Sequence, residues 1–379
     1  FSVIGGSELA DKLEFDRAYG AKVAKQYGIA CPETTEFKSV DEAMAFIKKN
    51  QKAYAIKMDS NAGGESASYV SKDANDMLDY LQQQKESGKI DGNTFIVQEK
   101  IDGSEVSTEV WFSGGTPCFP SNSTWETKKL LAGELGVRTG CETSVVCHYE
   151  GDRSKLADQT VLRLAPLLKY AKYTGPFDVN AIVSEKDKKA YFLEFTPRLG
   201  YSAIYAYAFL LGMPLSEYFY RMGKGAAFTI PFRSKWSTAL KVHIPPYPFA
   251  HEDDRIVREA YKPTEGIRIK TKSPDFWPID VRKGKKTDYE CAGTMGIIGE
   301  CLGRGNSIME AWRASQKVFE GVEVPNAGGR FTDGVEDAWK RISKLRSWGF
   351  TDIPAPSPGN QISPVAKTGK PLSGVAQGT

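Results

Sequence analysis

Two short alternating stretches, Phe177-Asp178-Val-Asn180-Ala and Phe192-Leu-Glu194-Phe-Thr196-Pro197-Arg198, constrain this chain more than any other feature of it. Strands are expected over Pro176 to Val183 and Ala190 to Phe195, and the polar turn Ser184-Glu-Lys-Asp-Lys between them makes an antiparallel pair. Alternation puts Asp178 and Asn180 on one face, and Glu194 and Thr196 on one face, so the hairpin can bring two carboxylates together. An unpaired buried anion is costly, so two such acids in a core call for a cation. Magnesium held between carboxylates and phosphate oxygens is the natural solution. The same spacing also serves an exposed hairpin with solvated acids.

Upstream, Ser7 can cap a helix running to about Tyr27, with Leu9, Leu13, Ala18, Ala21 and Val23 near helical spacing before a stop at Gly28. A second helix follows Asp41. The strand Tyr54-Ala-Ile-Lys57-Met breaks into Asp59-Ser-Asn-Ala-Gly63-Gly64-Glu65-Ser66 before another strand near 67–70, which together make a hairpin flap. A helix from about Asp73 to Lys85 leads to strands over Thr94 to Gln98 and Glu105 to Phe112. A long helix is expected over about Ser154 to Tyr173 and a shorter one over Ser202 to Leu211. Beyond about Phe228 short strands and Gly or Pro turns take over, with one amphipathic helix at Ser307 to Phe319, which reads as a separate small α+β domain. From Thr351 onward Pro, Gly, Ser, Lys and Gln dominate, and disorder is expected.

The 379 residues suffice for two or three domains. Lys plus Arg number 50 against 47 Asp plus Glu, a balance that does not suggest a nucleic-acid-coating protein. The lysines around Lys270, Lys272, Lys283, Lys285 and Lys286 read as a solvated loop. Six cysteines contain no CxxC pair, and with only three histidines to join them, reduced cytosolic thiols are the simpler reading. No long apolar run or opening signal segment points to export or membrane insertion, so a cytoplasmic location is expected. The sequence opens on Phe1 rather than Met, and a segment upstream of it is expected.

Glu194-Phe-Thr-Pro-Arg198 resembles the Glu-Met-Asn-Pro-Arg segment of biotin carboxylase and the Glu-Phe-Asn-x-Arg segment of glycinamide ribonucleotide synthetase, both ATP-grasp families. Those families place magnesium on the glutamate and asparagine, and biotin carboxylase adds an acid from the preceding strand. The resemblance therefore implies Asp178, Glu194 and Thr196 as metal ligands, with Thr196 a weaker, shorter ligand where asparagine is expected. Other segments match in order. Leu13-Glu-Phe-Asp-Arg17-Ala-Tyr resembles the family's helix with a basic residue at the ATP phosphates. Tyr54-Ala-Ile-Lys57-Met-Asp resembles the strand whose lysine holds those phosphates. A lysine in an apolar strand needs an anion or an exit to water, so Lys57 either serves that role or snorkels at a strand end. Val97-Gln-Glu99-Lys-Ile101-Asp-Gly103-Ser-Glu105 is similar to the interlobe hinge, implying Glu99 and Ile101 at adenine and Glu105 at ribose; a plain strand, turn and strand with surface acids is the alternative. Trp125-Glu126-Thr-Lys128-Lys129, then Leu135-Gly-Val-Arg-Thr-Gly140, resembles Asp-His-Lys-Arg and Gly-Pro-Asn-Thr-Gly-Gly of the synthetase, which aims Lys128 at transferred phosphate. Gly303 to Phe319 and Gly328-Gly-Arg330-Phe-Thr-Asp333-Gly334 look like its closing domain, so the resemblance spans about Ser7 to Phe350.

What the resemblance implies is an α/β fold of α+β lobes: an ATP-grasp core with a small C-terminal α+β domain. The expected boundaries are a linker and helix over 1–30, a small lobe with the glycine flap over 31–105, a large lobe with the metal site over 106–227, the C-terminal domain over 228–350 and a flexible tail over 351–379. ATP and Mg²⁺, or Mn²⁺, are the implied cofactors. The implied reaction is an ADP-forming ligation of a small-molecule carboxylate to an amine through an acyl phosphate, with Lys57, Lys128 and Arg198 offsetting charge on the transferring group. Neither a membrane nor a nucleic acid is an expected partner. Three departures change the expected acceptor. Gly63 and Gly64 keep amides that can approach phosphate, but Glu65 stands where the family's Gly-Lys-Gly flap has lysine. Gly200-Tyr201-Ser202-Ala203 replaces the family's Gly-Asp-Pro-Glu, and a departure is also expected at the family's amino-terminal domain, which in the family precedes the position of Ser7. Tyr201, Tyr205 and Tyr207 either favour a bulkier or flatter acceptor or pack their helix on the core. An alternative is a degenerate ATP-grasp protein that binds nucleotide, or serves assembly, without turnover. His148 and His243 are expected to be structural.

Overall fold

A computed structural model of the chain describes residues 3–58, 68–88, 90, 94–151, 154–248, 266–284, 288–293 and 295–356. Ser7 caps α1 (Glu8–Phe15) by accepting from the Ala10 N–H, but the helix stops at Asp16. The Asp16 backbone is extended, and its carboxylate accepts from the Tyr19 N–H to start α2 (Arg17–Gln26). The single helix expected over 7–27 is therefore two, because an Asp side chain competes for backbone N–H groups and caps more readily than it continues a helix. The turn packs tightly through Gly20, where a Cβ would stand 2.7 Å from the Leu13 carbonyl oxygen.

A small sheet follows, built from β1 (Thr34–Phe37), β2 (Tyr54–Met58), β3 (Ser68–Val70) and β4 (Phe95–Glu99) in the order β1-β4-β2-β3, with α3 (Val40–Asn50) and α4 (Ala74–Ser87) against it. Ala43, Ile47, Met77 and Leu81 bury onto Ile56, Phe95 and Val97. β2 and β3 pair antiparallel, as a flap requires. The turn between them, with Gly63, Gly64 and Glu65, lies outside the described residues.

The remaining elements surround one large sheet. β5 (Gly103–Ser113), β6 (Thr116–Leu131) and β7 (Leu135–His148) form a meander. The long helix expected over 154–173 is instead α5 (Lys155–Gln159), a 3₁₀ turn (Val161–Leu164) and α6 (Ala165–Tyr170). Thr160 turns its hydroxyl back to the Leu156 carbonyl at 2.6 Å, and Pro166, which has no N–H, can only begin a new helix. Then come β8 (Gly175–Ser184), β9 (Ala190–Thr196), α7 (Ala203–Leu210), α8 (Leu215–Met222), β10 (Trp236–His243), β11 (Arg268–Ile269), β12 (Phe276–Pro278), β13 (Val281–Lys283), β14 (Tyr289–Cys291), β15 (Ile297–Gly305), α9 (Ile308–Glu320) and α10 (Glu336–Ser347).

The large sheet runs β12-β15-β10-β7-β6-β5-β8-β9. The change of composition near Phe228 is thus not a break in hydrogen bonding, since β10 pairs with β7 on one side and β15 on the other. One face buries Trp125, Trp236 and Leu240 under α9 and α10 through Ile308, Trp312 and Ile342. The other buries Val146, Ala239 and Leu302 under α7 and α8. Order also extends past Thr351: Ile353 is buried, and the Ile308 N–H donates to the Pro356 carbonyl at 3.1 Å. Among the described residues no helix is long and apolar enough to cross a membrane.

Candidate active site

The face of the large sheet beneath α7 gathers acids from four adjacent strands. Glu109 on β5 lies opposite Asn122 on β6 and Asp178 on β8, Asp178 lies opposite Thr196 on β9, and Asn180 lies opposite Glu194. With Glu126 from β6 and with Gly200, Ala203, Ile204 and Tyr207 from the α7 region, these residues line a cleft of about 510 Å³ including its open mouth. The hairpin does bring Asp178, Glu194 and Thr196 together. Glu109 and Glu126 join them without having been assigned a role from sequence.

Burial sets the protonation of these acids. It raises Glu109 to about 7, although Trp111 Nε1 and Asn122 Nδ2 donate to the same carboxylate oxygen at 2.7 and 2.9 Å. Burial also lifts Asp178 well above the ordinary carboxylate range, with Glu109 and Glu126 adding to the effect, and it lifts Glu126. At Glu194 burial acts in the same direction but is outweighed by Arg17, Lys128 and Lys57, which hold this carboxylate below its usual range. Asn180 donates to Glu105 at 3.2 Å, while its Oδ1 is buried without a partner. Among the described residues no three acid, cysteine or histidine side chains enclose a metal by themselves. A cation here needs further oxygens from a second molecule, as magnesium bound with phosphate does.

A cationic wall stands against this cleft. Arg17 pairs with Glu194. Lys57, reaching across from β2, donates to the Leu193 carbonyl at 3.0 Å; burial pulls its pKa down to about 8 against the opposing effect of Glu194. Lys128 lies 2.9 Å from Glu105 and 3.6 Å from Glu126. Burial works against its charge, but Glu105, Glu126 and Glu194 outweigh burial and raise its pKa. Burial likewise opposes the charge on Glu105, yet Lys128, Arg341 and Asn180 bring it down to about 2. Arg17, Lys57 and Glu194 also line a second cavity of about 290 Å³ with Ile96 and Gln98, between the small sheet and β9.

Other expected site residues are placed elsewhere. Arg198 is half exposed, and its guanidinium binds Glu14 of α1 at 2.7 and 2.8 Å, so it lines neither cavity and does not face the acids. Glu99 holds Lys52 at 3.1 Å, and its N–H donates to the Glu33 carbonyl at 2.8 Å. Ile101 sits at the junction of β4 and β5, half-buried, and neither it nor Glu99 lines these two cavities. Glu105 is tied to Lys128 and Asn180. His148 stacks on Phe232 with ring centres 4.3 Å apart, and burial lowers its pKa.

Residues 15–200 match the family model for the ATP-grasp (A) domain of phosphoribosylglycinamide synthetase. The chain is similar to that synthetase and has an ATP-grasp fold. A phosphoribosylamine–glycine ligase of Halalkalibacterium halodurans is 28% identical over 140 residues, which are 36% of this chain and 32% of the relative. The match thus spans about a third of that relative's length. The crystal structure of the phosphoribosylamine–glycine ligase of Thermotoga maritima superposes with a TM-score of 0.67 at 20% identity, covering 87% of this chain and 81% of that one. The biotin carboxylase domain of Hydrogenobacter thermophilus 2-oxoglutarate carboxylase, solved with MgADP, ADP and bicarbonate, gives 0.59 at 15% identity, covering 91% and 74%. At these identities the structural likeness establishes the ATP-grasp fold.

Proposed function

We propose that this chain is an ATP-dependent ligase that joins a small-molecule carboxylate to an amine through an acyl phosphate, using an acceptor other than phosphoribosylamine. The observation that carries the proposal is the convergence of Arg17, Lys57 and Lys128 on Glu194, which lines one cleft with Asp178. Arg17 and Lys57, together with the amides assigned at Gly63 and Gly64, would take the nucleotide phosphates, and Lys128 the transferred phosphate. Glu99 and Ile101 are assigned to adenine and Glu105 to ribose. Arg198 would have to leave Glu14 to help. The donors fit a hard cation: carboxylate oxygens from Asp178 and Glu194, the Thr196 hydroxyl and the orphan Asn180 amide oxygen. A bound Mg²⁺, or Mn²⁺, would supply charge neutralisation between these oxygens and the phosphates. Positioning and electrostatics then account for most of the catalysis.

A screen of ATP-dependent ADP release over carboxylates and amines tests this reading. Glycine with phosphoribosylamine should fall short of the best pair by about 10³-fold or more, since a site built for particular polar groups rejects molecules that cannot meet them. Efficient ADP release with that pair would overturn the acceptor assignment. A second reading, nucleotide binding without turnover, is favoured by Thr196 and by the Arg198–Glu14 pair. ATP binding with no ADP release anywhere in the screen would select it.

A further inference from the structure

One pleat along from the acidic cleft, the same sheet face carries a second row of charge with no part in the reading above. Lys241 on β10 pairs in register with Glu300 on β15, and Glu300 with Trp277 on β12. Residues directly opposed in an antiparallel pair project from the same face. Lys241 and Glu300 are both buried. The Lys241 ammonium donates to the Cys141 carbonyl and to the Tyr247 hydroxyl at 3.2 Å, and Tyr247 in turn donates to Glu142 at 2.6 Å. Glu300 is only half satisfied. Ser202 donates to its Oε1 at 2.6 Å, whereas Oε2 is buried with no partner and bears its desolvation uncompensated.

The surroundings point to what is missing. Ser202 sits at φ 61°, ψ −47°, a conformation rare for any residue with a side chain, so local strain aims its hydroxyl at Glu300. The Tyr201 ring lies 5.1 Å from Lys241 Nζ and 6.3 Å from Tyr205, whose ring is 5.5 Å from Trp277. Tyr201 and Trp277 are 40% and 44% exposed, so their rings are open to a ligand. Asp280 lies near enough to act on both tyrosines. Two acids, Glu142 and Glu300, thus face one lysine and His243, whose Nε2 is 3.3 Å from Glu142 but out of hydrogen-bond alignment. The row lacks a hydrogen-bond partner for Glu300 Oε2, and it offers aromatic faces that can hold a cation. It also adjoins the cleft. Glu126, Ser144, Ala239 and Leu302 form the neighbouring row across β6, β7, β10 and β15, and Ala203 and Ile204 line the cleft beside Ser202.

We infer that this row seats the amine substrate of the proposed ligation, and that this substrate is an aromatic amine whose ammonium or N–H donor meets Glu300 while its ring lies against Tyr201, Tyr205 and Trp277. The role as substrate seat rests on the ligase reading; the binding does not. The test is calorimetric titration of the nucleotide-free protein with phenethylamine, phenethyl alcohol and ethylamine, followed by ADP release with ATP, phenethylamine and the carboxylates of the screen. Phenethylamine should bind saturably, and the alcohol and ethylamine about tenfold more weakly or worse. Trp277→Ala, at an exposed ring, and Glu300→Gln should each weaken phenethylamine about tenfold. No saturable binding, equal binding of either control, or unchanged affinity in Trp277→Ala would overturn the site. Binding as expected without stimulated ADP release would uphold the site and overturn the ligase reading beneath it. Stimulated release that both variants leave unchanged would do the reverse.

Discussion

Replacing Lys57 with methionine should make the protein more stable at neutral pH while removing nucleotide binding. Lys57 is a largely buried ammonium whose pKa falls from 10.5 to about 8, driven by burial and only partly opposed by Glu194. At about 1.4 kcal/mol per pKa unit, keeping it charged in the native state at pH 7 costs roughly 3 kcal/mol. Methionine keeps most of the stem but gives up the hydrogen bond to the Leu193 carbonyl, a loss of about 1 kcal/mol, so the net gain is roughly 2 kcal/mol. Between pH 8 and 10.5 the unfolded chain holds this proton and the native chain does not, so wild-type stability rises with pH across that window. The advantage of methionine should therefore shrink through zero and turn into a deficit of about 1 kcal/mol by the top of that window. Urea unfolding at pH 7 and pH 10, with ATP titration of both proteins, measures each part. A methionine variant less stable than wild type at pH 7, or a gap unchanged at pH 10, would refute the picture of Lys57 as a charge held against its own burial for a ligand.

Other expectations follow from the same geometry. Mg-ATP at ~100 times its dissociation constant should add about 2.7 kcal/mol to stability, and ATP without metal far less, because Asp178 and Glu194 repel bare phosphates; equal thermal shifts would remove the metal assignment. Glu194→Gln should abolish ADP release with the fold intact, whereas Glu105→Gln should chiefly weaken nucleotide affinity, and identical kinetic defects would show that the two acids do not divide these roles. Asp333→Ala should destabilise by about 3 kcal/mol, since the buried Arg330 guanidinium would keep only Glu134 as its carboxylate partner; a loss under about 1 kcal/mol in urea unfolding would contradict this.

Short-range patterns were legible where the physics is local. Alternation gave the β8–β9 pair and the meeting of Asp178 with Glu194, because a two-residue period and a polar turn fix the face each side chain takes. Helix continuity was misjudged at Asp16 and Thr160, where side-chain oxygens bind backbone groups more locally than an apolar stripe reveals. The helices α8 and α10 went unassigned, and both start without a side-chain cap. Arg198 was aimed at the acids because its motif ends beside them, but the acid that actually reaches it, Glu14, is 184 residues away in sequence.

The row of Lys241, Glu300 and Trp277 shows why the rest could not be read. Within their own strands, Ala-Leu-Lys-Val-His and Gly-Glu-Cys-Leu carry one charge apiece among apolar neighbours, and nothing in either segment states which strand lies beside it. The charges meet only because β10 enters the large sheet between β7 and β15, a placement fixed by burial of Trp236, Leu240 and Val242 on the opposite face. Those apolar residues set the register, and a slip of one residue would send Lys241 into the apolar core under α9. The hydrophobic face thus determines where the polar face converges, and the polar face in turn leaves Glu300 Oε2 without a donor beside exposed rings. A residue whose partner is decided by packing elsewhere carries no local signature of function, so the orphan oxygen and the strained Ser202 become visible only once the strands are in place.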